Sequence, residues 1–158
     1  MASLTPANLV RMAREFYPEG RLPSRFVVTA DAFTRRGQHD QAANFLRNAV
    51  AENPKDGEAW LALGNALVEH AGGRLTAAAL YAYSQAEKVS PENPAPTYFL
   101  GLAFLRAGEP ANTLTLWREL LESAAADAEW RGPLAARLER LEAILGVTEQ
   151  EGSIETEE

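Results

Sequence analysis

Trp60, Leu63, Gly64 and Leu67, followed by Ala79, Tyr83, Ala86 and Pro91, constrain this chain most, because the same pattern recurs on either side of them. Upstream, Phe26, Ala30 and Phe33 precede Ala42, Leu46, Ala49 and Pro54; downstream, Leu100, Gly101 and Phe104 precede Thr113, Trp117 and Leu120. Apolar residues at helical spacing, repeated with a period of about 34 residues, describe a helical hairpin copied along the chain. A single hairpin cannot bury its own apolar face, whereas a stack of three buries a continuous core. Ala30, Gly64 and Gly101 on the first helices, with Ala42 and Ala79 on the second, are small enough to let paired helices approach closely. Phe33, Trp60, Tyr83 and Trp117 then fill the space between them.

Over roughly residues 23–125 this pattern resembles the tetratricopeptide repeat. The resemblance implies an all-α fold, a right-handed superhelix of antiparallel helix pairs with an N-terminal helix and a C-terminal capping helix. Eight helices and no strands are expected.

Local signals place the boundaries. Thr5-Pro6 is a helix start, and Leu9, Met12, Ala13 and Phe16 trace one apolar face that ends before Pro18. The first repeat runs from about Ser24 to Arg36 and from His39 to Glu52, stopped by Gly37 and by Asn53-Pro54. The second begins near Asp56 and turns at Gly72-Gly73-Arg74-Leu75 before Thr76. That turn carries an insertion: Gly64 to Ala79 spans 15 residues, where Ala30 to Ala42 and Gly101 to Thr113 each span 12. Asn93-Pro94 opens the third pair, and Gly108-Glu109-Pro110 turns the chain into its second helix. Residues 127–145 read as the cap, with Trp130, Leu134, Leu138, Leu141 and Leu145 inward and Arg131, Arg137, Glu139, Arg140 and Glu142 outward. The organisation is therefore an N-terminal helix and turn over 1–22, three repeats plus cap over 23–146, and an acidic, disordered tail over 147–158.

The chain has 158 residues, 46% of them hydrophobic, enough for one self-supporting core. Its net charge is −7, but Glu149, Glu151, Glu155, Glu157 and Glu158 supply much of that. The remainder is close to neutral, which argues against nucleic acid as a partner, since counterion release requires a dense basic face. Six arginines from Arg11 to Arg36 give the first quarter a mild positive bias, read as a solvated helix surface. There are no cysteines, so disulfides, thiolate metal sites and cysteine-linked haem are excluded. No stretch is long and apolar enough to span a bilayer, and membrane association is expected only through an upstream anchor absent from this sequence.

Parts for catalysis are missing. His39 and His70 fall in different repeats, and neither has a partner at ligand spacing. Gly72-Gly73 follows a helix and lacks the lysine and hydroxyl of a phosphate loop. Ser24, Ser84 and Ser90 have no base in any recognisable pattern. No enzyme activity, cofactor or metal is expected.

What remains is the concave face, lined by the first helix of each pair. Register assigns it Val27, Asp31 and Arg35, then Leu61, Asn65, Val68 and Glu69, then Tyr98, Leu102, Leu105 and Arg106. Tyr98, Leu61 and Leu102 are the expected contacts for the apolar face of an amphipathic helix, whereas Val27, Val68 and Leu105 read equally well as packing between helices. Of the lysines, arginines and asparagines with which related co-chaperones clamp a peptide carboxylate, only Asn65 has a counterpart. Val27, Val28, Leu61, Ala62, Tyr98 and Phe99 hold the other places.

A narrower resemblance rests on His70-Ala-Gly-Gly-Arg-Leu-Thr76, on Asn93-Pro-Ala-Pro-Thr-Tyr-Phe-Leu-Gly101, and on Gly108 leading to Trp117-Arg-Glu-Leu-Leu121 and Asp127-Ala-Glu-Trp130. These look like the repeat domain of bacterial c-type cytochrome biogenesis factors of the CycH/CcmI type, over about residues 39–145. The resemblance implies a membrane-anchored, periplasmic adaptor that holds the C-terminal helix of an apocytochrome and binds no haem itself. Ala125 departs from the proline usual at the end of the third repeat. The alternative is a general repeat scaffold, cytoplasmic, that binds a neighbouring subunit or peptide, with the chain's own helix from Thr5 to Phe16 docking across its own groove or into a second copy.

Overall fold

A computed structural model describes residues 11, 12, 16 and 24–146. It contains seven complete helices: α1 (Arg25–Arg35), α2 (His39–Glu52), α3 (Gly57–His70), α4 (Ala77–Val89), α5 (Ala95–Arg106), α6 (Pro110–Ser123) and α7 (Arg131–Leu145). Among the described residues there is no strand. Of the eighth expected helix, Thr5 to Phe16, Arg11 and Met12 are helical and Phe16 lies in a turn; the rest of residues 1–22 and the acidic tail lie outside the described residues.

Helices α1 and α2, α3 and α4, and α5 and α6 pack as three hairpins, and α7 closes the last of them. Contacts of α3 with α1 and with α5 join successive first helices along one side. This is the helical superhelix that the repeat pattern requires.

Three helix starts are fixed by a local side chain. The Asp56 carboxylate accepts from the Ala59 N–H at 3.0 Å, and the Thr76 hydroxyl from the Ala79 N–H at 3.3 Å. The Asn93 side-chain oxygen accepts from the Ala95 N–H at 2.9 Å. In the inserted turn, Gly72 and Gly73 take φ of +67° and +89°, a region open to glycine at little cost, so the chain reverses without strain. Their N–H groups return to the Glu69 and Val68 carbonyls and satisfy the end of α3.

Close approach at the small residues is direct. A Cβ on Gly64 would lie 2.7 Å from Tyr83 Cε1, and one on Gly101 would lie 2.3 Å from Trp117 Nε1. Gly64 meets Tyr83 and Gly101 meets Trp117 at sequence separations that differ by the three inserted residues. Thr113, at the alanine position of the third repeat, is fully buried and donates its hydroxyl to the Gly101 carbonyl at 2.7 Å.

The last helix differs from expectation. It begins at Arg131, because residues 125–130 form turns in which Ala128 and Arg131 donate to the Ala125 and Ala128 carbonyls. Leu134, Leu138 and Leu141 are buried as expected, but Leu145 is 39% exposed where the cap runs past the stack. Arg137, expected to point outward, is half-buried and turned toward α5.

Candidate peptide-binding groove

The inner edge is built on α1, α3 and α5 around one aromatic residue. Tyr98 is 1% exposed. Trp117 stacks on it at 5.2 Å between ring centroids and 9° between planes, and the indole N–H donates to the Tyr98 carbonyl at 3.2 Å. Arg137 reaches from α7 to donate to the Tyr98 hydroxyl at 2.9 Å, its guanidinium 5.3 Å from the ring centroid. Phe16 lies 4.9 Å from Tyr98 and 6.2 Å from Phe99. The tyrosine is thus held by the second helix of its own pair and by the cap, and is approached by a residue from far upstream.

A separate polar cluster centres on Tyr83. Tyr83, buried beneath α3, donates its hydroxyl to the Asn65 side-chain oxygen at 2.8 Å. Burial raises the Tyr83 pKa above its ordinary value, with nearby Arg106 pulling it down and Glu69 pushing it up. Arg106 forms an ion pair with Glu69, the two side chains only 21% and 11% exposed. The guanidinium also lies 3.7 Å from where a Gly73 Cβ would stand, so the inserted turn packs on the pair.

The residues singled out from register divide accordingly. Asn65, Glu69 and Arg106 gather about Tyr83, whereas Tyr98 is held separately by Trp117 and Arg137. Leu61 and Leu102, expected as exposed contacts, are 1% and 5% exposed and belong to the packed core, as do Val27 and Val68. Leu105 and Asp31 are half-buried, and Arg35 at the end of α1 is exposed. Asn65, the one counterpart of the carboxylate clamp, has its oxygen engaged by Tyr83.

Register missed two residues. Arg137 was obscured because a charged residue in an amphipathic cap is ordinarily solvated. Phe16 was identified as part of an apolar face, but nothing in its own segment names Tyr98 as the surface that receives it. His39 and His70 remain apart, at the start of α2 and the end of α3, and among the described residues no three metal-ligating side chains cluster. A cleft of about 630 Å³ opens between the α4–α5 turn and the α6–α7 connection, with Glu87, Glu92, Glu119 and Trp130 on its walls. None of the residues assigned to the concave face lines it.

Residues 28–94 match the family model of the tetratricopeptide repeat. The chain is 36% identical over 114 residues to the cytochrome c-type biogenesis protein CycH of Bradyrhizobium diazoefficiens, covering 72% of this chain and 31% of that protein. It is 31% identical over 103 residues to the protein of the same name from Rhizobium meliloti, covering 65% of this chain and 27% of that one. The chain therefore spans less than a third of the length of either relative.

Proposed function

Because this chain is a tetratricopeptide-repeat protein of the CycH type, we propose that it serves c-type cytochrome assembly as a non-enzymatic adaptor, holding an amphipathic helix of an apocytochrome on its concave edge. The observation that carries this reading is the aromatic seat at Tyr98. Its far side is closed by Trp117 and its hydroxyl is held by Arg137, and the ring already receives an apolar side chain, Phe16, from outside the repeats. Such a seat suits the apolar face of a helix, and the polar residues Arg35, Asn65, Glu69 and Arg106 lie on the same first helices, α1, α3 and α5. No helix among the described residues is long and apolar enough to cross a membrane. The proposed place of action is the periplasm, as the resemblance to the biogenesis factors implies.

The test is titration of the chain with C-terminal helices of c-type apocytochromes, followed by calorimetry or fluorescence anisotropy. Saturable binding in the range of about 10–100 μM, weakened at least several-fold by Arg35→Glu or Arg106→Ala in folded protein, supports the reading. Absence of saturation, or indifference to both substitutions, overturns it. A scaffold role, with a neighbouring subunit docking on the end of the stack, finds support in Ile144 and Leu145, 67% and 39% exposed on α7. Loss of a co-purifying subunit on Ile144→Lys, with apocytochrome binding absent throughout, would favour that reading.

A further inference from the structure

Met12 and Phe16 stand four residues apart upstream of the repeats, Met12 helical and Phe16 in a turn. Met12 is helical and 8% exposed within the main core, although it lies outside the repeats. Phe16 approaches Tyr98 with its plane tilted by 42° and meets Phe99 edge-on at 71°. The second is a favoured aromatic geometry, and both separations lie within ring-contact range. The seat cannot simply close up without Phe16, because Tyr98 is fixed behind by Trp117 and at its hydroxyl by Arg137.

We propose that Phe16, with Met12 buried in the core four residues before it, is an intramolecular competitor, occupying the seat that the partner helix takes and disclosing what that seat selects: an aromatic side chain. The inference rests on the adaptor reading for the identity of the natural partner. It does not rest on that reading for the existence of the plug. A segment tethered to the repeats faces the seat at an effective concentration of the order of millimolar, so a helix arriving from solution binds only in proportion to the time the plug is out. The chain then releases weakly matched helices and retains those whose aromatic anchor outcompetes Phe16. Selection is achieved by competition rather than by a carboxylate clamp, consistent with the engagement of Asn65 by Tyr83.

The experiment uses the full chain and, as probe, a synthetic peptide of its own residues 5–17. Phe16→Ala in the chain is expected to tighten peptide binding about tenfold or more over wild type, and the same substitution in the peptide to weaken it by a similar factor. Met12 is one of only two methionines, so a 13C-labelled methyl group gives an independent readout. Saturating peptide should move the Met12 resonance of the wild-type chain toward that of a solvent-exposed methionine. A change in affinity below about threefold between wild-type and Phe16→Ala chains, or a Met12 resonance that stays put while peptide binds, overturns the proposal. The same titration with apocytochrome C-terminal helices separates the two ideas: their failure to bind either chain refutes the cytochrome partner, whereas the peptide and Met12 results decide the plug.

Discussion

Replacing Gly101 by alanine tests the closest contact in the fold. The added Cβ would sit 2.3 Å from Trp117 Nε1 and 2.8 Å from Cδ1, far inside van der Waals contact. The indole has nowhere to go, being 3% exposed, stacked on Tyr98 at 5.2 Å, and bonded to the Tyr98 carbonyl at 3.2 Å. Overpacking at such a site costs about 1–3 kcal/mol. Pushing the indole off its buried acceptor adds about 1–3 kcal/mol. Helix propensity works the other way, alanine being favoured over glycine in a helix interior by about 1 kcal/mol. The net is a destabilisation of about 1–5 kcal/mol, or a fall in Tm of about 2–20 °C for a chain of this size. Thermal and urea unfolding followed by circular dichroism would measure it. Gly132→Ala is the control, since nothing lies within 4 Å of its Cβ site on α7. It should be neutral or stabilising by up to about 1 kcal/mol. If Gly101→Ala matched Gly132→Ala within about 0.5 kcal/mol, the account of helix approach through small residues would be refuted.

Gly64→Ala should behave like Gly101→Ala, since its Cβ would lie 2.7 Å from Tyr83 Cε1 and would drive the hydroxyl from Asn65; the same unfolding measurements apply. Tyr83 carries a pH signature. Its folded-state pKa is raised above the ordinary 10.0, chiefly by burial, so the folded chain keeps this proton longer than the unfolded chain. The contribution is constant below pH 10 and is lost above it at up to about 1.4 kcal/mol per pH unit. Tyr83→Phe should remove that alkaline component while costing about 1 kcal/mol at neutral pH, as read from denaturation midpoints across pH. Arg106→Ala and Glu69→Ala should each cost about 1–3 kcal/mol, and the double variant clearly less than their sum; additive losses would show that the ion pair contributes nothing as a pair.

Much of the fold was written in local chemistry. His39–Glu52 follows from Gly37 before it and Asn53-Pro54 after it, and Asp56, Thr76 and Asn93 cap or flank their helices as short polar side chains do. The insertion was legible too, because a shift in spacing between small residues must appear as a longer turn. The start of the cap was not, since the apolar period runs back through Trp130 whereas the Ala125–Ala128 and Ala128–Arg131 turns delay the helix. Groove residues are harder for a further reason. Register states which way Leu61, Tyr98 and Leu102 point but not what lies above them, and their burial depends on the packing of successive pairs. For Tyr98 it also depends on Phe16, Trp117 and Arg137, brought together from three distant parts of the chain.

Two ties cross between successive first helices, and they lie at opposite rims. Ser24, just before α1, bonds Asp56 at 2.8 Å and meets Glu58 at 3.4 Å, pinning α1 to α3 at their N-terminal ends. Arg106 and Glu69 pin α3 to α5 near their C-terminal ends. A force that parts both joints would therefore be resisted by polar contacts at the N-terminal rim of the first joint and at the C-terminal rim of the second, so the middle pair is held from both of its ends.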